Sequence, residues 1–115
     1  MNVDDSARIL GSLPREKAFY FFTSIGNYTG LSASSLKEFN ERLGEVNVRS
    51  LEFHLKRGDF EKWASEVLQD RELSSEIRRL SKYGFTGEPL RSQISLITSR
   101  RYKQLSAQSG HSQPK

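Results

Sequence analysis

Between Ser35 and Tyr83 the sequence repeatedly starts and stops a helix, and this punctuation constrains the fold more than any other feature. Ser35-Leu36-Lys37-Glu38 is a capping box, in which a serine hydroxyl and a glutamate three residues on satisfy each other's free amides. Leu36, Phe39 and Leu43 follow at helical spacing, and Gly44 stops the run. Asn47 can cap a second helix with Val48, Leu51 and Leu55 on one face, ended by Gly58. Asp59 is read as the N-cap of a third, whose Phe60, Trp63, Ala64, Val67 and Leu68 form the clearest amphipathic pattern in the chain. Asp70 caps a fourth, with Leu73, Ile77 and Leu80 inward. Each segment is short and carries one apolar stripe, so the segments must fold back on one another.

Upstream, residues 4–11 predict a short helix capped by Asp4 or Asp5, closed before Pro14. Ala18 to Thr23 is aromatic and favours a strand. Gly26-Asn27 predicts a tight turn, with Tyr28 to Ala33 returning as the second strand. A lone hairpin is marginal in water and has to lie on helices. Downstream, Pro89 suits the first turn of a last helix lined inside by Leu90, Ile94 and Ile97. The expected organisation is a lead-in over 1–17 with a short helix, one α-rich domain over 18–105, and a polar, disordered tail over 106–115. The fold class is α+β, mainly α: an N-terminal hairpin packed on a compact bundle of about five short helices.

The middle of the chain resembles a small prokaryotic domain family, common in archaea, whose function is not established. The likeness spans residues 19–77. It rests on Phe19-Tyr20-Phe21-Phe22, on Ser35 to Phe39, on Ser50-Leu51-Glu52-Phe53-His54, on Arg57 to Trp63, and on Val67, Leu68, Asp70 and Leu73. The resemblance implies a compact helical module, supplies no activity, and singles out Phe53, His54, Asp59 and Trp63.

The chain of 115 residues has no cysteine, which removes disulfides, thiolate metal sites and a cysteine nucleophile. Its start lacks the basic residues and apolar run of a secretory signal, and no stretch approaches the roughly 18 apolar residues of a membrane span. A cytoplasmic protein without a membrane role is expected. The net charge of +4 is uneven. Residues 1–77 hold ten basic and thirteen acidic side chains, whereas residues 78–103 hold seven basic and one acidic. Such asymmetry points to an anionic partner for the C-terminal quarter.

Candidate chemistry is sparse. His54 lies near Glu52, Asp59 and Glu61 in sequence, the raw material of a metal or acid–base site. Glu52 and His54 are two apart on a helix, however, and point about 200° apart. The expectation is a histidine that packs on the hairpin or caps a neighbouring helix. His111, the other histidine, falls in the expected tail. Asp59 reads as a cap rather than a base, and Trp63 as core rather than a recognition platform. Gly26 to Gly30 lacks the lysine and serine of a phosphate-binding loop. No catalytic residue, cofactor or metal ligand is assigned. The expected contact residues are Arg78, Arg79, Lys82, Arg91, Arg100, Arg101, Tyr102 and Lys103, with Leu96 on the same side as Arg100 and Lys103. These observations favour a non-enzymatic protein-interaction or regulatory module with a basic C-terminal contact helix. The alternatives are an RNA- or DNA-binding accessory protein, and a small metal protein or enzyme centred on His54.

Overall fold

The structure, a computed structural model, describes residues 3–110. Helix α1 (Val3–Leu10) is followed by a single 3-10 turn at Arg15–Lys17 and by an antiparallel hairpin, β1 (Phe19–Ser24) and β2 (Asn27–Ala33). Helices α2 (Leu36–Leu43), α3 (Val48–Arg57) and α4 (Asp59–Lys62) follow. Helix α4 continues through one π-helical turn, Trp63–Val67, before α5 (Arg71–Ser81) and the long α6 (Gly87–Gly110). The fold is α+β and mainly α, with the hairpin near its N-terminus.

The local signals act largely as the residues dictate. Ser35 Oγ accepts from the Glu38 amide at 3.1 Å. The Glu38 carboxylate reaches one residue further back than a capping box requires, to the Ser34 amide at 2.7 Å. Asn47 Oδ1 accepts from the Arg49 amide at 2.8 Å, and Asp70 Oδ1 from the Leu73 amide at 3.2 Å. Gly58 ends α3 at φ +79°, a left-handed conformation that costs glycine little. In the hairpin, Ser24 pairs with Asn27, so the two turn residues are Ile25 and Gly26, one position earlier than the sequence suggests. Gly26 supplies the positive φ and Asn27 does not.

Four expectations need correction. Helix α1 begins at Val3, so Asp4 and Asp5 lie inside its first turn rather than at its cap. Asp59 does not cap α4: Gly58 holds that position and no side chain closes it. The single helix expected after Gly58 widens at Trp63, where the Leu68 amide bonds to the Trp63 carbonyl five residues back at 3.1 Å. The wide turn returns Leu68 to the interior and leaves Val67 half-exposed beside the hairpin. Arg8 of α1 then donates to the Leu68 carbonyl and to Gln69 Oε1, both at 3.1 Å. Finally, the tail expected from residue 106 is helical as far as Gly110, and residues 111–115, with His111, lie outside the described residues.

The core is organised around α6, which packs against α1, α2, α3 and α5. Leu90, Ile94, Ile97 and Leu105 are buried along its length, so its apolar residues face several neighbours rather than one. Phe19 and Phe21 of β1 meet Phe39 and Phe60 in an aromatic cluster with ring centroids 4.8–6.3 Å apart. The lead-in belongs to the domain: Ile9 is buried, and Ser6 Oγ donates to Gln108 Oε1 at 2.6 Å, pinning α1 to the end of α6.

Candidate functional site

His54 lies on the inner face of α3, next to the strand it was expected to pack on. The Phe22 amide donates to His54 Nε2 at 2.8 Å. A backbone amide can only donate, so Nε2 carries no proton and the neutral ring holds its hydrogen on Nδ1. Nδ1–H therefore donates to Asp59 Oδ2, also at 2.8 Å. Gly58 makes this pairing: its left-handed turn folds the chain so that Asp59 comes back over the last turn of α3. Burial holds the His54 imidazole below the usual histidine range, against the opposing pull of the Asp59 hydrogen bond and charge. Arg57 Nε stands 3.4 Å from the same Asp59 oxygen, and the guanidinium carbon lies 5.1 Å from the Phe53 ring centroid. With both ring nitrogens committed, His54 has no free lone pair with which to take a proton from a substrate.

The carboxylates that share its stretch of sequence go elsewhere. Glu52 accepts from the Gly87 amide at 2.7 Å at the start of α6, and Glu61 pairs with Arg78 at 3.1 Å. Among the described residues no three histidine or acidic side chains converge as metal ligands.

His54 and Asp59 instead form part of the wall of a pocket of about 490 Å³ between the hairpin tip and α3, α4 and the π turn. Its apolar lining comes from Tyr20, Phe22, Ile25, Phe53, Trp63 and Val67. Trp63 is buried, as expected of a core residue, and its indole N–H donates to the Lys17 carbonyl at 2.9 Å. Trp63 nonetheless forms part of the pocket lining. Ile25 is 85 % exposed at the tip. Sequence reading singled out Phe53, His54, Asp59 and Trp63, and the structure brings all four to this pocket. It missed Phe22, Ile25 and Val67. An isoleucine beside the turn glycine was the available signal.

The eight expected contact residues divide sharply. Arg101 is a correction: it is 3 % exposed and grips the buried Asp70 carboxylate through Nε at 2.8 Å and Nη2 at 3.0 Å. Arg91 is also structural, donating to the Leu43 and Val46 carbonyls at 2.8 Å and to Glu88 at 2.8 Å. Tyr102 is half-buried against the core. Arg78 pairs with Glu61, and Arg100 with Glu76 at 3.2 Å. Arg79, Lys82 and Lys103 are exposed and carry no ion pair among the described residues.

Two of them, Arg79 and Lys103, border a second surface. Tyr83 is 74 % exposed and Leu96 53 % exposed, the latter on the outer side of α6 as expected. Tyr83, Phe85 and Leu96 line a groove of about 380 Å³ with Arg79 and Arg100. Leu96 and Arg100 are shared with a neighbouring hollow bordered by Lys103.

No curated protein and no solved structure matches this chain. A family model described as a family of unknown function, DUF5752, matches residues 2–99, from α1 through the first half of α6 and so well beyond the stretch that carried the resemblance. The chain belongs to this family of unknown function.

Proposed function

We propose that this domain is a non-enzymatic protein-interaction module whose contact face is the groove between α5 and α6. The observation that carries the reading is the exposed Tyr83 and Leu96 pair beside Arg79 and Lys103, neither of which has an ion pair among the described residues. The groove's one acid, Glu76, is already paired with Arg100, so large apolar side chains left in water beside Arg79 and Lys103 suit a partner that brings apolar anchors flanked by carboxylates. The occupant is thus an acidic amphipathic segment of another protein. The commitment of both His54 nitrogens favours binding over acid–base catalysis.

The test uses a synthetic glutamate–leucine amphipathic peptide, followed by fluorescence anisotropy on the full chain, beside a lysine–leucine counterpart. The acidic peptide binds, the basic one does not, and Arg79→Glu/Lys103→Glu weakens binding about tenfold or more. Leu96→Asp does the same through loss of the apolar anchor. An acidic peptide that ignores both variants removes the reading.

A second reading follows from Tyr83 beside Arg79 and Lys82, since an exposed ring among cations also suits a stacked base and its phosphates. Single-stranded RNA that binds at low salt, releases steeply as salt rises, and responds to Tyr83→Ala would favour it.

A further inference from the structure

The hairpin pocket lies apart from the α5–α6 groove and shares no lining residue with it. We propose that it is a binding site for an uncharged, ring-bearing small molecule. Four observations carry the proposal independently of the interaction face.

The first is shape. At about 490 Å³ the pocket falls among ligand-sized cavities, with walls from four separate segments: β1, the hairpin turn, α3, and α4 with its π turn. The second is chemistry. Tyr20, Phe22, Phe53 and Trp63 offer aromatic surface, and two of these rings are held in place from behind. Trp63 is fixed through Lys17, and Tyr20 through a hydroxyl that donates to the Arg15 carbonyl at 2.7 Å. A pre-positioned aromatic lining loses little freedom on binding a flat ring.

The third is charge. The lining holds Arg57 and Lys62 against Asp59 and Glu66, so its formal charges cancel. Arg57 and Asp59 already face each other at 3.4 Å, and the His54 ring is neutral with both nitrogens bonded inward. A carboxylate or ammonium entering this pocket meets one opposing charge for every attracting one and loses its hydration, whereas a neutral ring loses nothing comparable. Ile25 completes the argument. A hairpin turn needs Gly26, but nothing in turn chemistry needs an isoleucine 85 % exposed beside it at the pocket's lip. Its side chain covers an occupant and otherwise has little to touch.

The experiment is a titration of the isotope-labelled full chain with indole, indole-3-carboxylate and tryptamine, followed by NMR. Indole shifts the Trp63 side-chain N–H and Phe22 amide resonances saturably, and each charged analogue binds about tenfold more weakly or worse. Ile25→Asp places a charge on the lip without touching the core. It abolishes the indole shifts while the chain melts as before, which separates loss of the site from loss of the fold. Absence of a saturable indole response overturns the proposal. So does a charged analogue that binds better than indole, or an Ile25→Asp chain that binds indole unchanged. A tryptophan-bearing peptide amide that outcompetes indole also overturns it, by assigning the pocket to a protein side chain.

Discussion

His54 shows how a single residue can join two elements and how little of that is visible in its sequence context. Its ring connects the Phe22 amide of β1 to the Asp59 carboxylate of α4, both at 2.8 Å, and so fastens the hairpin to the helices. The neutral ring is required, because a proton on Nε2 would face the Phe22 amide hydrogen. Burial lowers the folded-state pKa, with Arg57 adding to the effect and Asp59 opposing it. Unfolded, the ring titrates near the ordinary value of about 6.5. The unfolded chain therefore binds more protons as pH falls below that value, and the folded chain loses stability until its own lower pKa is passed. Urea midpoints of the wild type should decline as pH falls through the unfolded histidine value of about 6.5, and the decline should shrink in His54→Gln. That His54 packs on the hairpin was legible from its place among inward-facing residues. Its partner was not. On a continuous helix residues five apart point about 140° apart, and only the reversal at Gly58 brings Asp59 back. Arg101 was misjudged for a related reason: charge is countable in sequence, but whether an Asp70 waits in the interior is not.

At the level of elements, the legible features are those with local causes. Serine, asparagine and aspartate caps, the glycine stop at position 58, and the apolar faces of α2, α3 and α5 all follow from neighbouring residues. The misread features have tertiary causes. Ser106-Ala107-Gln108-Ser109-Gly110 has no apolar stripe of its own and reads as a tail. It stays helical beside α1, which packs along α6 and is tied to Gln108 by Ser6. The last core residue of α6, Leu105, is fully buried. Leu105→Ala should cost about 2–5 kcal/mol by chemical denaturation. Hydrogen exchange in that variant should quicken first in α1 and the end of α6, not in the hairpin, since these two segments hold each other.

Across the whole molecule, the excess of positive charge in residues 78–103 resolves into three populations. Arg91 and Arg101 hold helices together, Arg78 and Arg100 pair with glutamates, and Arg79, Lys82 and Lys103 remain available. Reversing these three to glutamate should change stability by no more than about 0.5 kcal/mol in thermal melts, because exposed charges away from packed features contribute little. Arg101→Glu placed in the same assay should unfold the chain, which separates exposed charges from structural ones. The packing of α1 on α6 also sets a timetable. Ser6 and Gln108 are 102 positions apart, so a chain emerging from a ribosome cannot close α1 onto α6, its main neighbour, until nearly the whole domain has been made. The hairpin and α2 to α5 can collapse early around their aromatic cluster. The arrival of α6 is the step that turns a loose nascent globule into a closed protein.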